Sequence, residues 1–183
     1  MSEFHQFFEH CIGRWVSERT YHYLSQQQIE RSHTEFFVEP VPMTAKHKVI
    51  ADNGYATPPD LETMPSFQIG FETVSEHGEK AAHSLNAVFV RQSEQSDGIV
   101  TGDYLRDRAY EEARPIVAQF RFNPHSRELL MTTTYTRVVA VDSITLVTPA
   151  LRIRKIVNYR RPSEGEPLND VVLVGFGVEQ KQQ

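Results

Sequence analysis

Between residues 15 and 178 the chain breaks into ten short runs rich in β-branched and aromatic residues, and this rhythm limits the folds open to it. The runs fall at 15–24, 29–38, 67–74, 84–91, 99–105, 116–122, 129–136, 141–147, 151–159 and 171–178. Most are separated by turn chemistry, such as Asp97-Gly98, Asn123-Pro124 and Ser163-Glu164-Gly165. Short strands at this spacing predict an all-β barrel or sandwich, not a βαβ protein. Periodicity alone leaves barrel and sandwich both open. Ahead of the strands, Phe4, Phe7, Phe8 and Cys11 stand at helical spacing and Gly13 follows, which predicts a short N-terminal helix packing one face. Residues 44–51 suggest a second short helix. Residues 53–65, with three prolines and one glycine, read as a loop.

A chain of 183 residues is most simply one domain, spanning 1–183, and is long enough to bury a core. The net charge of −5 carries no electrostatic footprint for nucleic acid. No apolar run approaches the ~20 residues a membrane-spanning helix needs. The first residues, MSEFHQFFEHCIG, lack the basic start of a signal peptide. A single cysteine rules out an internal disulfide and fits a reducing compartment. A soluble cytosolic protein is expected. The eight histidines show no H-x-x-x-H or H-E-x-x-H spacing, and His5 and His10 are off one helical face, so no metal site is expected. Cys11 lies on the apolar stripe of the N-terminal helix and reads as a small buried hydrophobe, not a nucleophile.

The segment most suggestive of a ligand is TPALRIR at 148–154. Side chains alternate along a strand, so Arg152 and Arg154 share a face. A guanidinium offers a planar, bidentate donor fork that suits carboxylates or phosphate. An acid, Asp142, precedes Arg152 by ten residues. Arg19 shares a strand face with Trp15, Ser17, Tyr21 and Tyr23, a cation among aromatics that would suit a cavity wall. The competing reading makes all of these ordinary surface residues, with Glu18 and His22 turned inward instead.

Taken together, the segments resemble the S/U-type phycobiliprotein lyases of cyanobacteria and related algae. The opening block of that family is carried by Phe7, Phe8, Gly13, Arg14, Trp15, Ser17, Arg19, Thr20, His22 and Leu24. A second segment is TGDYLRDRAYEEARPIVAQ at 101–119, a third is the strand at 133–136, and the last is PALRIR at 149–154. Order and spacing match over roughly residues 3–160. The resemblance implies a lipocalin-like (calycin) antiparallel barrel of the fatty-acid-binding-protein type. It implies a lyase that carries an open-chain tetrapyrrole, such as phycocyanobilin, to a cysteine of a phycobiliprotein subunit. The bilin is the transferred substrate, and no permanent cofactor or metal is implied. A paralogous lyase subunit or a homodimer is a possible assembly, in a cyanobacterial cytosol or plastid stroma.

By the same resemblance Asp142 and Arg152 are the candidate catalytic residues, and Arg19, Arg154, Trp15, Phe71 and Glu72 the candidate bilin-binding ones. The sequence departs from the family pattern at two places. Asp142 stands where glutamate is usual, and Phe71-Glu72 stands where tryptophan–acid pairs are usual, Trp15 being the chain's single tryptophan. The second departure suits a different bilin preference or an accessory (U-type) subunit of a heterodimeric lyase. A carrier of a fatty acid or similar carboxylate is the alternative from another class, since an arginine pair in a barrel serves a lipid acid equally.

Overall fold

A computed structural model describes residues 2–109 and 112–182. The ten runs are ten strands: β1 Gly13–Tyr23, β2 Gln28–Pro40, β3 Ser66–Ser75, β4 Lys80–Glu94, β5 Val100–Arg106, β6 Ile116–Asn123, β7 Glu128–Thr134, β8 Val138–Thr148, β9 Leu151–Arg160 and β10 Val171–Lys181. Each pairs antiparallel with its neighbours in sequence, and β1 pairs with β10, so the sheet closes into a barrel. Closure settles the choice between barrel and sandwich, and it leaves no unpaired strand edge. Clean alternation in β6, where Ile116, Ala118, Phe120 and Phe122 are buried and their neighbours exposed, shows how a half-buried strand declares its inner face.

Two helices complete the fold. Helix α1, Glu3–Cys11, begins at Ser2, whose hydroxyl accepts from the His5 backbone N–H at 3.4 Å. Its stripe of Phe4, Phe7, Phe8 and Cys11 packs into one end of the barrel against Phe67, Phe89, Phe120 and Phe122. Burying four such side chains contributes on the order of 1.5–3 kcal/mol for each phenylalanine, which is why a nine-residue helix that is marginal alone holds here. Helix α2, Met43–Asp52, lies on the outside, with Val49 and Ile50 against Val88, Val90 and Leu105. The expected loop after it contains a short 3-10 turn at Leu61–Thr63, tied down by Lys46, whose ammonium donates to the carbonyls of Leu61, Glu62 and Met64. Burial pushes the Lys46 ammonium below its ordinary pKa. No helix of the described residues is long and apolar enough to cross a membrane.

Candidate ligand cavity

With α1 plugging one end, the barrel keeps a cavity of about 380 Å³ that runs toward the other. That volume is near the small end of the ~300–1,000 Å³ usual for small-molecule sites. Its two sides differ. Ile69, Phe71, Phe89, Tyr104 and Met131 make an apolar side, and Arg19, Asp142, Arg152 and Arg154 face it from the wall that β1, β8 and β9 supply.

Register explains how the charges meet. Arg19, Gly177, Arg154 and Ile144 are successive partners across β1, β10, β9 and β8, and Ser17, Glu179, Arg152 and Leu146 form the layer below. Arg152 Nε donates to Glu179 Oε2 at 2.5 Å, and Glu179 Oε1 lies 3.6 Å from Arg19 Nη2. Arg154 Nε donates to Asp142 Oδ1 at 2.9 Å. Glu179 is fully buried. Burial opposes its charge, but Arg152, Arg154 and Arg19 outweigh that and hold its carboxyl below the usual range. The same balance, burial against Glu179, raises Arg152, and burial against Asp142 raises Arg154 well above its ordinary value. Gly177 makes the crossing possible, because a Cβ there would stand 3.1 Å from Ser17 Oγ and 3.2 Å from Arg19 Cγ.

Each candidate from the sequence has a definite place. Arg19, Arg154 and Asp142 line the cavity, with side chains 13%, 23% and 23% exposed. Arg152 lies deeper, its guanidinium 4.5 Å from the Trp15 ring and 5.0 Å from Phe36. Trp15 is fully buried beneath it, and its indole N–H donates to the Cys11 carbonyl at 2.9 Å. Trp15 therefore supports Arg152 and anchors α1 without lining the cavity. Phe71 lines the cavity, but Glu72 does not: strand alternation turns it to an outer groove that it shares with Arg14, Glu35 and Phe37. Phe71 also borders that groove, so the two adjacent residues meet there, outside the barrel cavity. Cys11 is buried at the cavity floor, and burial raises its thiol above the ordinary range.

Two charged residues of this region, one behind the cavity wall and one in it, escaped the sequence reading. Glu179 falls just past the run at 171–178, and its in-facing series of Leu173, Gly175, Gly177 and Glu179 was the available signal. Arg106 ends β5, one residue past the run read at 99–105 and inside the 101–119 segment. Its Nη2 donates to Thr133 Oγ1 at 3.1 Å and to the Tyr135 hydroxyl at 3.3 Å, and its guanidinium lies 5.1 Å from the Tyr104 ring. Tyr110 of that segment lies outside the described residues. Among the described residues no cluster of three or more His, Cys, Asp or Glu could hold a metal.

A closed antiparallel barrel around one cavity, with charged groups on one wall, defines a lipocalin-like ligand-binding protein. The family model for CpeS-like proteins matches residues 3–182, and the chain belongs to that family of phycobiliprotein chromophore lyases. It is 55% identical over 181 residues to chromophore lyase CpcS/CpeS 1 of Synechococcus sp. (strain JA-3-3Ab), covering 99% of this chain and 97% of the relative. It is 26% identical over 151 residues to chromophore lyase CpcS/CpeS 2 of Trichodesmium erythraeum (strain IMS101), covering 81% and 75%. The fold matches the solved S-type phycobiliprotein lyase CPES of Guillardia theta with a TM-score of 0.78 at 21% identity, over 100% of this chain and 94% of that one.

Proposed function

We propose that this lyase holds a phycocyanobilin-like bilin non-covalently in the cavity and presents it to a cysteine of a phycobiliprotein subunit. The observation that carries the reading is the set of arginines and acids, Arg19, Asp142, Arg152 and Arg154, gathered on one wall of a cavity whose other side is mainly apolar and holds Arg106. A bilin needs cations for two propionates, a carboxylate for its pyrrole N–H groups and apolar walls for its conjugated rings. Arg19 and Arg154 supply the cations, Asp142 supplies the carboxylate, and Phe71 lies along the ring plane. Arg152, locked between Glu179 and Trp15, sets the field beneath them. A carboxylate beside the ring nitrogens stabilises the protonated bilin, and this makes its ethylidene more electrophilic.

The reaction is an addition. The acceptor's sulfur bonds to the exocyclic ethylidene carbon and the thiol proton ends on the adjoining ring carbon, so nothing leaves and no oxidant is consumed. The nucleophile belongs to the acceptor, and the lyase works by orientation and by excluding water and side reactions. Such acceptors place the protein in a cyanobacterial cytosol or plastid stroma.

Titration of the purified protein with phycocyanobilin, followed by apo-phycocyanin or apo-allophycocyanin subunits, tests the reading. A red-shifted, sharpened bilin band that moves to the acceptor and survives denaturation is the expected result. Asp142→Asn lowers transfer and alters the absorption of bound bilin, and unchanged values for both remove Asp142 from its role. A flat titration restored by coexpression with a paralogous lyase subunit assigns the chain to a heterodimer. Displacement of bilin by palmitate, with no bilin spectrum, replaces the lyase reading with that of a lipid-acid carrier.

A further inference from the structure

Two polar atoms in the cavity wall are buried without a hydrogen-bond partner: Ser32 Oγ and Asn158 Oδ1. Leaving such an atom unpaired costs on the order of 1–3 kcal/mol, so a folded protein that keeps two of them facing one cavity has a use for them. They stand at different depths. Ser32 is the cross-strand partner of Arg19 on β2, in the layer that also holds Arg154. Asn158 is four residues beyond Arg154 on the same face of β9, about 13 Å farther from the end that α1 closes.

The chemistry of the two atoms differs in the same direction. Beside Arg19 and Arg154, an unpaired hydroxyl completes a set of donors for a carboxylate. Toward the far end, a carboxamide whose oxygen is unpaired carries an acceptor and donors side by side. Its complement is another amide, and the terminal rings of an open-chain tetrapyrrole are lactams, each with a C=O beside an N–H. Resting on the bilin reading above, we infer that Asn158 pairs with the lactam of the end ring that carries the ethylidene, while Ser32 joins Arg19 and Arg154 on a propionate. Two N–H···O bonds between amides then fix which end of the chromophore faces outward. A cavity of about 380 Å³ at the small end of the usual range suits this arrangement, with the reactive ring held at the far end, where an acceptor cysteine can reach it.

The test compares wild type, Asn158→Leu and Asn158→Asp, each loaded with phycocyanobilin. Infrared difference spectra read the end-ring carbonyl, and apo-phycocyanin reads transfer. Leucine matches asparagine in size without hydrogen-bonding. The aspartate variant keeps the size and a hydrogen-bonding head if the leucine variant folds poorly, and its carboxylate repels the lactam carbonyl. In both variants the carbonyl band moves to higher frequency and bilin affinity falls about three- to tenfold, the worth of one or two hydrogen bonds. Transfer falls further than affinity, with more oxidised or misattached product. An unmoved carbonyl band and unchanged product in both variants overturn the Asn158 assignment alone. Failure of the wild type to take up bilin overturns the functional reading, and this assignment with it.

Discussion

Phe89, Tyr104 and Met131 on one side of the cavity and Arg19 and Arg152, paired with Glu179, on the other are carried by the same kind of antiparallel strand, yet they hold the barrel together by different means. On the apolar side, stability scales with area removed from water, and a neighbour of similar size can substitute. On the charged side each group is tolerable only because its partner is present. Glu179 without its arginines, or Arg152 without Glu179, would be an uncompensated charge in a dry interior. The difference teaches where function and stability part. On the proposed reading the charged wall serves the bilin, and a hydrophobic replacement of equal volume would fold nearly as well.

The strongest way to break that comparison is Glu179→Ala. It strands Arg152 between Trp15 and Phe36 and is expected to cost about 3–5 kcal/mol in urea-induced unfolding. The double variant Arg152→Met, Glu179→Leu is expected to recover most of that stability while losing bilin transfer, because it converts the charged wall into an apolar one. Next comes Gly177→Ala, which pushes a methyl group into Ser17 and Arg19 and costs about 1–3 kcal/mol, with weaker bilin binding. On the opposite wall, Phe89→Leu keeps most of the buried apolar area and costs about 1 kcal/mol, with transfer nearly unchanged.

The smallest effect expected is on acid stability. The Glu179 carboxyl is held below its unfolded value, so its contribution is complete above the ordinary glutamate pKa of about 4.3 and is lost as pH falls through the depressed one. Unfolding midpoints measured below pH 4.3 should decline more steeply in wild type than in the double variant, which lacks the group. Equal slopes would mean that the acid limb comes from other carboxylates.

How far the sequence reached follows from the same physics. Strands were legible because alternation and turn residues are local signals, as in β6 and in Asp97-Gly98. Arg152 and Arg154 were legible as one face because period two is local as well. Their partners were not. Asp142 pairs with Arg154, while Arg152 belongs to Glu179, and both pairings depend on the register of β8 against β9 and of β9 against β10. Trp15 shows the same limit, since periodicity gives a face but not a depth, and α1 with Arg152 places it below the cavity. Glu72 is the converse case, where alternation keeps it out of the barrel cavity while Phe71 borders both the cavity and the outer groove.

Barrel closure joins the second element of the chain to the last. Arg19 on β1 meets Glu179 on β10 across some 160 residues of sequence. A ribosome delivers the guanidinium long before its carboxylate, and until β10 arrives the first strand keeps one open edge and a buried-type arginine with no counterion. Pairings so distant in sequence are slow to form and exposed to aggregation while they wait. The charge network beside the cavity is thus also completed last in synthesis, so defects in β10 should appear as poor recovery of soluble protein before they appear as altered activity.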